Sequence, residues 1–195
     1  MSIKSHEKNR RLVGIALFSV LVVILQAIAD FVRIGPAQLS ISLVSLPIVV
    51  GAAVYGVSAG FWLGFVFSWA VILSPNTLAF LNFSFLGTVI TVFVKGIACG
   101  CAAGIVYKSL RKVDYSLAAV MSALVCPILN TGIFLLGCRL FFYDLVMQWT
   151  GGVNTLWGMI VGLVGVNFLI EFGSTVVLSP VILRLIRIGR KEKEA

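Results

Sequence analysis

Four polar side chains within the apolar part of this chain offer most of its chemistry. Lys95 and Glu171 are ionisable, Asn130 and Asn167 are hydrogen-bonding, and each stands in hydrophobic sequence. Ionisable groups at membrane depth are costly and are usually functional. An ammonium group is a point charge for a carboxylate or a phosphate, so an unpaired Lys95 would favour an anionic ligand. A Lys95–Glu171 ion pair that only stabilises the helices is the alternative, and the two roles can coexist.

The depth of these residues follows from the rise of a helix. On the helix boundaries predicted below, Lys95 lies about 11 Å, Asn130 about 12 Å and Asn167 about 16 Å below the outer end of its helix. Glu171 is four residues beyond Asn167 and shares its helix face. The sequence therefore predicts one outward-opening cavity to which three helices contribute polar groups. Asp30 and Gln26 add polar groups near the outer end of the first helix.

Aromatic residues concentrate in the segments predicted to lie above this cavity. Asn82 and Phe83 belong to an aromatic outer loop predicted at 74–87, and Trp157 stands near the start of the last helix. An aromatic belt at the membrane interface is one interpretation. A lid over a ring-bearing or amphipathic ligand is the other, and it makes these three residues candidates for substrate binding.

The composition indicates an integral membrane protein. Of the 195 residues, 60% are hydrophobic and 11% charged, and the mean hydropathy is +1.10. Soluble domains carry about 25% charged residues. The net charge of +8 does not predict nucleic-acid binding, because no soluble domain is present to form a groove. The lipid bilayer, with its anionic head groups, is the expected partner of the basic residues.

Basic residues fall into three clusters that predict the topology. Twelve of the fifteen lie in the N-terminal tail, in one mid-chain segment or at the C-terminus. They are Lys4, Lys8, Arg10, Arg11, Lys108, Arg111, Lys112, Arg184, Arg187, Arg190, Lys191 and Lys193. Because basic flanks stay in the cytoplasm, the chain must cross the membrane an even number of times between clusters. Arg33 and Arg139 then lie in outer segments.

Hydropathy and charge together predict an all-α bundle of six transmembrane helices with both termini in the cytoplasm. One domain, residues 1–195, is expected to contain helices at 12–32, 43–55, 59–73, 88–107, 116–138 and 156–183. The second and third are short and tilted, because the run 43–73 is too long for one spanning helix and too short for two full ones. The first is expected to be retained, since no small-residue cleavage site follows it.

Small residues recur every fourth position in three apolar segments. The runs are Gly56, Gly60, Gly64 and Ser68; Gly96, Gly100 and Gly104; and Gly158 with Gly162. This spacing places them on one helix face, where two backbones can approach closely. Packing within the bundle is one interpretation, and docking of another membrane protein is the other.

The sequence disfavours catalysis and metal binding. The single histidine, His6, lies in the polar tail, and the four cysteines stand in apolar segments without metal-ligand spacing. We expect no enzymatic activity and no bound metal. A small oligomeric transporter or channel for a polar solute remains an alternative, although the chain is short for a self-sufficient transporter. A substrate-binding subunit driven by other chains fits better, because it needs no nucleotide-binding motif.

Three stretches resemble the substrate-binding S components of energy-coupling factor (ECF) vitamin transporters. The first is LPIVVGAAVYG at 46–56, continued by Ala59, Gly60 and Gly64. The second is VKG at 94–96 leading to AGIVY at 103–107, and the third is CPILNTG at 126–132. The resemblance covers about residues 12–185. It implies a six-helix bundle in the bacterial cell membrane, with a vitamin site in its outer half.

The resemblance also implies partners and a mechanism. A transmembrane T component and two cytoplasmic ATPases would complete the transporter, with ATP used by those ATPases and no cofactor bound by this chain. The subunit would topple in the membrane to release its substrate inward. A vitamin or cofactor precursor such as pantothenate is expected, while a pyrimidine, a pyridoxine-like compound, folate or a tetrapyrrole remains open.

Helix one departs from the family in its docking residues. Family members often carry an Ala-x-x-x-Ala pair there, whereas this helix has Gly14, Ala16 and Ser19. We expect these three residues to contact the T component, together with the glycine run at Gly56, Gly60 and Gly64.

Overall fold

The computed structural model describes residues 3–31, 33–34, 39–40, 43–149 and 166–194, which are almost entirely helical. The helices are α1 (Ile3–Phe31), α2 (Ser45–Tyr55), α3 (Val57–Ile72), α4 (Leu78–Phe83), α5 (Phe85–Leu110), α6 (Tyr115–Phe141), α7 (Tyr143–Trp149) and α8 (Val166–Glu194). A 3-10 turn at Pro75–Thr77 precedes α4. Strands β1 (Arg33–Ile34) and β2 (Leu39–Ser40) pair antiparallel after α1.

Four of the described helices are long and apolar enough to cross a membrane. These spans are Glu7–Phe31, Phe85–Leu110, Tyr115–Phe141 and Glu171–Gly189. A fifth is possible if α3 and the segment Pro75–Phe83, which meet at a bend of 71°, count as one broken span. The predicted all-α membrane fold is confirmed. The number of six helices and the cytoplasmic termini stay predictions; α2 has 11 residues, about 17 Å, against a hydrocarbon core of about 30 Å.

Two helices begin earlier than the sequence predicts, each at a polar N-cap residue. α5 begins at Phe85 and not at 88, because the Ser84 side chain accepts a hydrogen bond from the Gly87 backbone N–H at 3.3 Å. α6 begins at Tyr115, and the Asp114 side chain accepts from the third residue of that helix at 2.8 Å. Such caps satisfy backbone donors that the first turn leaves unpaired, so they start helices outside the purely apolar run.

Helix ends and one loop also differ from the sequence-based predictions. α5 continues to Leu110, α6 to Phe141 and α8 to Glu194, each beyond the predicted end. The segment 74–87, predicted as a loop, contains the 3-10 turn and α4. Hydropathy misses these parts because polar residues can continue a helix past the membrane. The predicted start of the last helix at 156 and the pair Gly158 and Gly162 lie outside the described residues.

Two glycine runs face each other along α3 and α5. A Cβ atom added to Gly60 would overlap the carbonyl oxygen of Gly100, and one added to Gly64 would overlap that of Gly96. Ser68 extends this contact by donating a hydrogen bond to a carbonyl oxygen of α5 at 3.1 Å. Packing within the bundle therefore accounts for both runs. α5 covers the face that Gly60 and Gly64 form, so this arrangement gives their docking role no support, and that role stays a prediction.

The other predicted docking residues differ in exposure. Ala16 lies on the exposed side of α1. Gly14 is covered by the ring of Tyr55, and the half-buried Ser19 donates to the carbonyl of Ile15 at 2.8 Å. Contact of Gly14, Ala16 and Ser19 with a partner stays a prediction.

Gly56 separates α2 from α3 by its backbone conformation. Its φ of 93° and ψ of 177° lie in a region that is essentially restricted to glycine. No described atom lies within 4 Å of the position that a Cβ atom would take. The break between the two helices therefore depends on the backbone of this residue and not on a tight contact.

We expect Gly56→Ala to lower the free energy of unfolding by about 1–3 kcal/mol, through backbone strain alone. Thermal unfolding of the detergent-purified protein measures this loss. Gly173→Ala is the matched control, because Gly173 lies in α8 and also has no described atom near a new Cβ. Unfolding of both alanine variants at the wild-type temperature would contradict the prediction that alanine is strained in the backbone conformation of Gly56.

Candidate functional site

A cavity of about 260 Å³ lies between α1, α3, α5, α6 and α8. Its described wall combines Lys95, two carboxylates (Asp30 and Glu171), several amides and hydroxyls, and five phenylalanine rings. Small-molecule sites typically have this composition, in which a mostly apolar wall carries a few polar groups that orient the ligand. The size suits a compound much smaller than a peptide.

Three of the sequence-predicted residues come together in this cavity. Lys95 on α5, Asn130 on α6 and Glu171 on α8 all line it. Lys95 is ten residues from the start of α5 at Phe85, and Asn130 is eleven residues from the end of α6 at Phe141. Both therefore lie about 15 Å along the helix axis from the end of the bundle predicted to face outward. Lys95, Asn130 and Glu171 therefore meet in one cavity, while their role in binding stays a prediction.

Aromatic rings hold the Lys95 ammonium group. Its Nζ atom lies 5.6 Å from the ring centroid of Phe134 and 6.0 Å from that of Phe67. Such cation–π contacts are attractive. Glu171 is near enough to interact with Lys95 electrostatically, but no direct ion pair within 4.0 Å joins Lys95 to a carboxylate among the described residues. The alternative of a direct Lys95–Glu171 ion pair is therefore not realised.

Asn130 on α6 and Glu171 on α8 both line the cavity. Glu171 is 8% exposed. The Oδ1 atom of Asn130 is buried and has no hydrogen-bond partner among the described residues. An amide oxygen is an acceptor, so Oδ1 is available to a donor group on a ligand.

Thr91 is a residue of this cavity that the sequence analysis did not identify. It lines the cavity and is 4% exposed, and its hydroxyl oxygen has no hydrogen-bond partner in the part of the chain that the structure describes. Thr91 precedes Lys95 by four residues, so the two share one face of α5. That spacing is the signal by which the sequence could have revealed it.

A polar network lies at the rim of the cavity, near the end of α1. Oδ1 of Asp30 accepts hydrogen bonds from Gln26 at 3.1 Å, from Ser74 at 2.8 Å and from Asn76 at 3.2 Å. Ser74 and Asn76 belong to the connection between α3 and α4. The network thus joins α1 to this connection, and all four residues line the cavity.

Asn82 and Phe83 do not line the cavity. Both are exposed on α4, because the segment predicted as a lid loop is helical and turns them away. Phe80 of the same helix faces inward, and its ring packs edge to face with Phe134 at 5.7 Å and Phe142 at 5.1 Å. A substrate contact by Asn82 and Phe83 therefore has no support in this arrangement.

The positions of two further predicted binding residues cannot be compared with the cavity. Trp157 lies outside the described residues. Asn167 lies in α8, but its side chain is outside the part that the structure describes. Their roles in binding stay predictions.

The described cysteines pack among apolar side chains. The thiols of Cys99 and Cys126 each donate to the backbone carbonyl of the other residue, at 3.3 and 3.6 Å. Among the described residues, no group of three or more His, Cys, Asp or Glu side chains could hold a metal ion.

Comparison with known proteins gives one finding. A family model described as the substrate-specific component of ECF transporters matches residues 10–183. No curated protein and no solved structure matches the chain. The matched range contains every described residue that lines the cavity.

Proposed function

Because the chain belongs to the family of ECF transporter substrate-specific components, we propose that it captures a small organic anion from outside the cell. Membership makes the chain a membrane-embedded, substrate-specific subunit of a transporter, in a family that is not one of enzymes. The proposal adds the charge of the substrate and its origin. A vitamin or cofactor precursor with a carboxylate, such as pantothenate, has the required chemistry.

The position of Lys95 carries this proposal. A cationic side chain at this depth is costly unless a charge of opposite sign compensates it. Two phenylalanine rings contact the ammonium group, while Glu171 lies nearby without forming a direct ion pair with it. A ligand carboxylate that enters the cavity would supply the missing partner, and the phenylalanine wall would cover the apolar part of the same ligand.

Energy for transport is proposed to come from a T component and two cytoplasmic ATPases. α1 supports this proposal, because only 11% of its most apolar 18-residue stretch is buried within the protein. Leu17, for example, is 67% exposed. Lipid or a membrane partner can cover this face, and toppling of the subunit against that partner would carry the substrate inward. The bacterial cell membrane is the proposed location.

Native mass spectrometry of the detergent-purified subunit, expressed in rich medium, tests the proposed capture. We expect one small organic acid per chain, which can be released and identified. The Lys95→Met variant, prepared in parallel, should be recovered without it. An empty wild-type protein that also fails to bind a panel of water-soluble carboxylates would contradict the proposal, and would favour a small oligomeric transporter or channel.

A further inference from the structure

We propose that Thr91 and Asn130 form a second recognition point in the cavity, besides Lys95, and that this point binds a hydrogen-bond donor of the ligand. This inference rests on the proposed function and narrows it. The substrate class becomes an organic anion that also carries a hydroxyl or N–H group, as opposed to a simple carboxylate. Lys95 binds the charge, and the second point selects among anions.

The acceptor is Oδ1 of Asn130. An asparagine amide offers two donors on nitrogen and one acceptor oxygen. Here Asn130 lines the cavity, and its amide oxygen is buried without a partner among the described residues. A buried acceptor left unpaired is unfavourable. A hydroxyl or N–H group on the ligand would satisfy this oxygen, whereas a second carboxylate or a ketone would be repelled by it.

Thr91 departs from the behaviour of other hydroxyls in these helices. Thr88 donates to the carbonyl of Ser84, and Thr175 to that of Glu171, each four residues back and at 2.8 Å. This bond is the usual way in which a helical threonine satisfies its hydroxyl. The Thr91 hydroxyl forms no such bond, although the residue is almost fully buried. It is therefore available to a ligand both as donor and as acceptor.

Gly137 on α6 creates the space that Thr91 occupies. A Cβ atom at Gly137 would contact the hydroxyl and the methyl group of Thr91, with the hydroxyl oxygen at 2.6 Å. Thr91 is thus held at the contact between α5 and α6, the same two helices that carry Lys95 and Asn130. Thr91 and Asn130 line the same cavity as Lys95, so a ligand that fills this cavity meets both residues.

The test measures binding to the full-length subunit in detergent by isothermal titration calorimetry. Pantothenate and biotin are the probes that combine a carboxylate with O–H or N–H donors. Nicotinate and lipoate are carboxylates without such donors. We expect a donor-bearing probe to bind at least about tenfold more tightly than either of the others. Thr91→Val should weaken that binding by about fivefold to tenfold, the worth of one neutral hydrogen bond, and Thr91→Ser should preserve it.

Stability of the ligand-free protein separates recognition from a structural role. Thr91→Val replaces an unpaired buried hydroxyl by a methyl group of the same shape, so the melting temperature should stay equal or rise. Ser122→Ala is the control, because the buried Ser122 hydroxyl is satisfied by the Ala103 carbonyl at 2.7 Å and does not line the cavity. That variant should lose stability and keep its affinity.

The outcomes distinguish this inference from the function on which it rests. Equal affinity of wild type and Thr91→Val, or tightest binding of nicotinate or lipoate, would overturn the donor recognition and leave the capture of an anion intact. An organic acid without any donor in the native mass spectrum would do the same. No binding of any carboxylate would overturn both proposals.

Discussion

Lys95→Met should weaken binding of an organic anion by about 100-fold or more, since losing one partner of a desolvated charge pair costs about 2–5 kcal/mol. Methionine keeps the unbranched apolar stem of lysine and is shorter by one heavy atom, so it can still contact the rings of Phe67 and Phe134. The ligand carboxylate, however, would enter the cavity beside Glu171 with no cation to balance it. Calorimetric titration with pantothenate, and with the compound identified by native mass spectrometry, measures the loss.

The ligand-free Lys95→Met protein should fold at least as well as wild type. The substitution breaks no direct ion pair with a described carboxylate. It removes the electrostatic interaction with the nearby Glu171, but it also takes away a charge that is costly at this depth, and this gain offsets the loss. Lys108→Met makes the same chemical change at the exposed end of α5, and its affinity should equal that of wild type. A Lys95→Met protein that binds normally would refute the site, and one that does not fold would assign Lys95 a structural role.

Gly64→Leu should lower the free energy of unfolding by about 3 kcal/mol or more, at the upper end of what overpacking costs. The new side chain would begin where the carbonyl oxygen of Gly96 lies. That oxygen belongs to the backbone of α5 and cannot rotate away as a side chain can. The two helices must therefore separate at this layer. Because Gly96 directly follows Lys95, we expect ligand binding to be lost along with stability.

Gly132→Leu is the matched control for this change. Gly132 lies in α6, and no described atom is within 4 Å of its added Cβ, so the same substitution should leave unfolding nearly unchanged. Thermal unfolding followed by size-exclusion chromatography in detergent compares the two variants. Equal melting temperatures for both leucine variants would contradict the close backbone contact between α3 and α5.

The sequence by itself determined the class of the protein and a common depth for the residues of its candidate site. Hydrophobicity and the three basic clusters depend on composition and order along the chain, so they predicted an all-α membrane protein without knowledge of any contact. The constant rise of a helix then placed Lys95 and Asn130 at a common depth. Both of these residues and Glu171 line one cavity in the structure, because helices that cross one membrane must bring equal depths together.

The partner of each helix face was decided only by the tertiary structure. The spacing of four residues places small side chains on one face of α3. It does not specify whether α5 or another protein packs against Gly60 and Gly64, and the structure shows that α5 does. The same holds for the side chains of the cavity. Asn82 and Phe83 turned outward when their segment became helical, and Thr91 became significant only because its hydroxyl, unlike that of Thr88, forms no hydrogen bond within its own helix. Depth is a property of one helix, whereas burial and hydrogen-bond partners arise between helices and cannot be read from either one alone.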